Sequence, residues 1–273
     1  MFTPDRRHFV CGLSTLCAAG RSAGAQAAFV KHPYDQIGVQ LYTVRAAFTA
    51  DPIGTLRKVK ALGYESVESI NFGGMTPAAF KTQLSEIGLQ MPSGHIGLND
   101  WIARPEAVLD DMAAAGADYA LLAWLPEDAR KDWKALAAKM NRWGELAKER
   151  DLGFAYHNHN FEFTASAEGL PYHLLLENTD PKLVAFELDC YWASLAGHDP
   201  VHVLKEHGNR IRLLHLKDKL ANGDMAPVGD GVIDFPAVLK QAKIAGVEYV
   251  YVEHDNPADP WASLATSLHN LKG

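Results

Sequence analysis

Four residues that close apolar runs carry ligand chemistry: His157, Asp189, His215 and Glu253. They stand in "AYHNHNFEF", "AFELDCYW", "LLHLKD" and "VYVEHD", spaced by 32, 26 and 38 residues. Alone, an Asp after a strand is usually a helix cap, and a His in an apolar run is often a core residue. Four such residues recurring at equivalent positions are a site. Two carboxylates with one or two imidazoles, open to solvent, suit one divalent ion: Mn²⁺, Co²⁺, Mg²⁺ or Zn²⁺. Such an ion grips a carbonyl and a neighbouring hydroxyl and acidifies the adjacent C–H. A carboxylate or imidazole then takes that proton. Glu162, Glu253, His159 and Lys217 are the candidate acid–base groups, with Lys217 placed to stabilise an enolate or a leaving oxygen. Gln40, Tyr42, His95, Trp124, Asn158 and Trp192 are candidate substrate contacts. His157 and His159 are expected to face opposite ways, so that at most one enters the interior. Whether His157 or Glu162 supplies the ligand from this stretch stays open.

The spacing of the four ligands is about one strand–helix unit, and the rest of the chain repeats that unit. A helical stretch, a glycine and a short β-rich run recur in "KVKALGYESVESI", "DMAAAGADYALLAW" and "QAKIAGVEYVYVE". Gly63, Gly88, Gly116, Gly153 and Gly246 are placed to end helices in the left-handed conformation, where a Cβ is costly. The runs that follow are nearly continuous in Val, Ile, Leu, Tyr and Phe, as strands covered on both faces are. Eight are expected, near 36–42, 64–70, 90–96, 118–124, 153–160, 183–189, 211–217 and 247–253. Eight units in one domain of this size read as a closed (β/α)8 TIM barrel, which places functional residues at the C-terminal strand ends. The turn after the first strand, "QLYTVRAAFTADP", lacks the glycine-rich phosphate loop of an open doubly wound sheet. In "VGDGVIDF", Gly229 and Gly231 shape a loop, and Asp234 is read as a helix cap.

Residues 1–27 read as a twin-arginine export signal. Arg6 and Arg7 precede a short, weakly apolar region and a small-residue site at Ala25-Gln26-Ala27. Residues 28–273 are then the mature barrel, expected in the periplasm. Cleavage removes Arg6, Arg7, Arg21 and Asp5 from 26 basic and 33 acidic residues and leaves a net charge of −9. That balance opposes nucleic-acid binding. Cys190 is the one cysteine after residue 27, which excludes an intramolecular disulfide in the mature chain. No stretch has the length and apolarity of a mature membrane-spanning helix.

The motifs "GVQLYTVR", "YHNHNFEF", "LDCYWASLAGHDP", "HLKD", "VGDGVIDF" and "VEHD" together resemble the sugar phosphate isomerase/epimerase superfamily. These are the xylose isomerase-like barrels related to endonuclease IV, and the match is to their "YHNH" branch. The resemblance covers essentially all of 36–271. It implies metal ligands at Asp189, His215 and Glu253. Relatives such as ketose 3-epimerases carry a strand-five Glu that is also a catalytic base; here His157 stands in its place, with Glu162 five residues on. The resemblance implies a metal-dependent sugar isomerase or epimerase, with homodimers common among such barrels. Few cations at the strand ends, chiefly Arg45 and Lys217, favour an unphosphorylated sugar or keto-glycoside. A 3-keto-glycoside lyase or hydratase is the rival reading, and a non-catalytic sugar-binding barrel is another. An endonuclease would want a basic face and the ligands of a three-metal cluster.

Overall fold

The computed structural model describes residues 37–272, together with Met1. The export signal read at 1–27 therefore lies, apart from Met1, outside the described residues. All eight expected strands form. In chain order they are Ile37–Gln40, Ser66–Ser69, Gln90–Ile96, Tyr119–Leu122, Gly153–His157, Val184–Asp189, Ile211–Leu216 and Tyr249–Val252. They are called strands one to eight below. Each pairs in parallel with its sequence neighbours, and strand eight pairs with strand one, which closes the barrel. Helices lie between the strands, and a short antiparallel pair, Asp218–Lys219 with Met225–Ala226, follows strand seven. No helix of the described residues is long and apolar enough to cross a membrane.

Local sequence explains the helix boundaries. Asp51, Thr76, Asp132, Asp199 and Asp234 each cap a helix by accepting from a backbone N–H of its first turn. The cap expected at Asp234 is thus present. Gly63, Gly88, Gly116 and Gly246 do end helices with positive φ. Gly153 does not. Asp151 takes the left-handed position there, at φ 56°. What Gly153 provides instead is lateral room, because a Cβ on it would lie 2.4 Å from the Tyr119 ring.

The main apolar core fills the layer between strands and helices. A smaller cluster of Leu121, Ala155, Leu213, Tyr249 and Tyr251 plugs the barrel interior. Alternation along each strand sends the next inward residues to the C-terminal end, and there the interior turns polar. Register sets which of them meet. His157 pairs with Glu187, Asp189 with His215, and Gln40 with Glu68.

Plug and polar end are joined through Tyr251. Its hydroxyl lies 2.8 Å from Ser93 Oγ, which also bonds Glu68 Oε1 at 2.6 Å. The Tyr251 ring fits because position 38 has no side chain: a Cβ on Gly38 would meet the ring at 2.4 Å. Gly38→Ala should therefore cost about 1–3 kcal/mol through overpacking. Urea unfolding of the variant checks this, and an unchanged midpoint would show that the interior can yield at Tyr251.

Candidate active site

His215, at the end of strand seven, is the centre of the polar cluster. Its Nδ1 lies 2.9 Å from Glu253 Oε2 and 3.8 Å from Asp189 Oδ2. Its Nε2 lies 2.7 Å from Glu68 Oε2 and 3.2 Å from Glu187 Oε2. Lys217, two residues on, is almost fully buried. Its ammonium reaches Asp255 at 2.6 Å, Glu253 at 2.9 Å and Asp189 at 3.4 Å. Five carboxylates thus surround one ammonium and three imidazoles, those of His95, His157 and His215. Burial acts against each of these charges, and pairing decides the outcome. Burial would raise Glu253, but Lys217 and His215 outweigh it and hold the carboxyl well below its usual range. Asp189 is not rescued in this way: burial, only partly opposed by Lys217 and His215, lifts it to about 6.

Asp189, His215 and Glu253 bring one ligand atom each to within 4.8 Å of one another. Three features fit a divalent cation there. Asp189 Oδ1 caps the next helix at Trp192 N, while its Oδ2 is buried with no hydrogen-bond partner. The Lys217 ammonium faces that oxygen from 3.4 Å, beyond close hydrogen-bond length, which leaves it open to a nearer cation. The second nitrogen of His215 is held by the Glu68 carboxylate, the arrangement that orients a ligating imidazole. Asp189 is itself fixed by Asn158 Oδ1, which accepts its backbone N–H at 3.0 Å.

An open cavity of about 390 Å³ lies over this cluster. Of the expected site residues, Tyr42, His95, Trp124, His157, His159, Lys217 and Glu253 line it, beside Ile70, Ala123 and Asp255. The expectation that His157 and His159 face opposite ways fails. Residues two apart on a strand share a face, and the strand ends at His157. Burial, then the Lys217 charge, push the His159 imidazole down to about 3, so it is neutral. Its Nδ1 has no hydrogen-bond partner, and its ring packs on Phe161 and Trp192. His157 stands with His95 and Glu187 in a second group that shares His215.

Four expected residues lie behind the cavity wall. Gln40 is buried and donates to Glu68 Oε2 at 2.7 Å. Asn158 is spent on Asp189. Trp192 flanks the cluster, its ring 5.1 Å from Lys217 Nζ. Glu162 is buried under the strand-five loop, where it accepts from Tyr156 Oη and from His159 N. It shapes the histidine loop from behind. Sequence reading missed Glu68, Glu187 and Asp255. Glu187 had a signal, because a carboxylate two residues before Asp189 must share its face. Glu68 in "SVES" had the weaker signal of a charge inside a short strand.

Glu162 carries a pH test. Burial raises its carboxyl from 4.5 to about 7, against the lowering effect of Tyr156 and the His159 amide. The folded chain then holds the proton more tightly than the unfolded chain. Stability is intact below about pH 4.5 and falls as pH rises through about 7, by roughly 3 kcal/mol for a gap of this size. Glu162→Gln should flatten that part of the curve. Urea unfolding of both proteins between pH 4.5 and 8 measures it, and identical slopes would exclude the assignment.

The chain was compared with known proteins. Residues 56–271 match the model of the xylose isomerase-like TIM barrel. An inosose dehydratase of Geobacillus thermodenitrificans is 34% identical over 153 residues, 49% of this chain and 51% of that protein. A second, from Geobacillus kaustophilus, is 24% identical over 245 residues, covering 74% and 78%. The chain therefore spans about half the length of the first relative. Among solved structures, a sugar phosphate isomerase/epimerase from Parabacteroides distasonis superposes with a TM-score of 0.76 at 26% identity, covering 86% and 96%. An IolI protein with a bound zinc atom gives 0.66 at 15% identity, covering 86% and 96%, a likeness of fold. A family match over most of the chain, on a barrel that closes with eight parallel strands, makes this protein a member of the xylose isomerase-like TIM barrel family.

Proposed function

We propose that the protein is a divalent-metal-dependent enzyme that removes water, or another β-leaving group, from an unphosphorylated keto-sugar or keto-glycoside. The observation that carries this reading is that an imidazole, His159, and an ammonium paired with carboxylates, Lys217, line one cavity beside the candidate ligand Glu253. Epimerisation by proton return on the opposite face works best with two like bases. A base and an acid suit elimination.

Asp189, His215 and Glu253 would hold the ion. When bound it would supply Lewis-acid polarisation of the substrate carbonyl. The chain does the rest. His159 takes the proton from the carbon next to the carbonyl. The C–H pair becomes the new double bond, the β C–O bond breaks, and Lys217 gives the departing oxygen its proton. Glu253 and Asp255 keep Lys217 protonated between turnovers. Tyr42 and Trp124, both exposed at the mouth, offer ring faces to a sugar. Arg45 is engaged by the Tyr42 and Asp255 carbonyls and by Asn256, which leaves Lys217 as the one lysine or arginine lining the cavity among the described residues. Three carboxylates around that lysine would repel a phosphate. The dehydratase relatives support elimination. The isomerase/epimerase neighbour supports the second reading, in which the same proton returns to carbon. The paired arginines of the N-terminus support export, and with it a periplasmic substrate.

Two measurements test the reading. Metal content of the purified protein should be lost in Asp189→Ala and Glu253→Ala. With keto-sugars in D₂O, His159→Asn should lower C–H exchange and product formation together, by about 10²-fold or more. Lys217→Met should keep exchange while losing elimination. Solvent deuterium in a product that keeps all its oxygens would establish the epimerase instead. Sugar binding with neither exchange nor metal would leave a binding barrel.

A further inference from the structure

Beside the ligand group just described lies a second cluster that this chemistry does not use. It consists of His95 on strand three, His157 on strand five and Glu187 on strand six. Glu187 Oε2 lies 2.8 Å from His95 Nε2, 2.9 Å from His157 Nδ1 and 3.2 Å from His215 Nε2. The three rings crowd together, with centroids 4.6 to 5.2 Å apart. Ligand atoms of all four residues fall within 4.8 Å of one another.

Single N–H···O bonds have these lengths, and so do the edges of a coordination shell with bonds of about 2.0–2.2 Å. The distribution of partners separates the two. A network built for hydrogen bonds alone would share its donors between both carboxylate oxygens. Here His95 Nε2, which also lies 3.0 Å from Glu68 Oε2, and His157 Nδ1 both bond to Oε2 of Glu187, while Glu187 Oε1 is buried with no hydrogen-bond partner. An idle buried carboxylate oxygen is a cost that a bound ion removes. Access is also built in, since His95 and His157 both line the open cavity.

We infer that His95, His157 and Glu187 form a second metal site, separate from Asp189, His215 and Glu253. Two imidazoles and one carboxylate, with positions left open toward the cavity, suit a borderline ion such as Zn²⁺ or Co²⁺ rather than Mg²⁺. His215 stands between the sites and remains a ligand of the first through Nδ1, its Nε2 being held by Glu68. The inference does not depend on the proposed elimination.

The test is Co²⁺ titration of the full-length chain, with ions per chain read by metal analysis and visible absorption. Wild type should bind two ions. Glu187→Gln and His95→Asn should each bind one, and Asp189→Asn should keep the ion that those variants lose. A wild type that binds one ion, lost in Asp189→Asn and kept in Glu187→Gln and His95→Asn, overturns the second site. One ion with the reverse pattern upholds it and removes the first. Anomalous diffraction from Co²⁺-soaked wild-type crystals needs no variant. A peak between the His95 and His157 rings supports the site, and its absence at saturating Co²⁺ refutes it.

Discussion

The structure depends on how a barrel interior tolerates charge. Glu68, Glu187, Asp189, Glu253 and Asp255 lie around Lys217, His95, His157 and His215, and all except His95 and Asp255 are buried. Removing a carboxylate or an ammonium from water costs several kcal/mol unless partners replace the hydration. Here the partners are each other. Lys217 offsets three carboxylates, His215 bonds to Glu68 through Nε2 and lies 3.2 Å from Glu187, and Ser93 and Gln40 complete Glu68. Few of these groups could be removed singly without stranding another.

Barrel geometry makes such a cluster possible. Parallel strands bring their C-terminal ends to one rim, and alternation turns every second side chain inward. The lower inward positions are filled by Leu, Ala and Tyr, which close the interior and leave the upper ones to polar side chains. Tyr251 spans the boundary, its ring in the plug and its hydroxyl on the Ser93–Glu68 pair. Gly38 is required by that ring. The apolar plug and the polar cluster are therefore one packing problem, and a change in either is felt in the other.

The site also differs from the pattern its resemblance implied. Where ketose epimerases carry a strand-five glutamate, this chain has His157, and the cavity wall becomes rich in imidazole. Glu162, which could have replaced that glutamate, is buried behind the loop and bonds to Tyr156 and to the His159 amide. The glutamates that join Asp189, Glu253 and Asp255 in the cluster, Glu68 and Glu187, come from strands two and six. The proposed chemistry accordingly rests on an imidazole and an ammonium that line one cavity, instead of two carboxylates across a sugar ring.

The barrel was legible in the sequence because its signals are local. Helix caps, helix-ending glycines and short β-rich runs each act within a few residues, and eight repeats of them leave little freedom in topology. Asp189, His215 and Glu253 were legible for the same reason, as ligand types at the ends of successive strands. The rest was decided by tertiary structure. Whether Gln40, Asn158 and Glu162 face the cavity or support it depends on where each chain segment leaves its strand. That His157 meets Glu187 depends on the register between strands five and six. That Gly153 yields room to Tyr119, while Asp151 takes the left-handed turn, depends on a ring from a neighbouring strand. These are contacts between residues distant in the chain, and no local pattern encodes them.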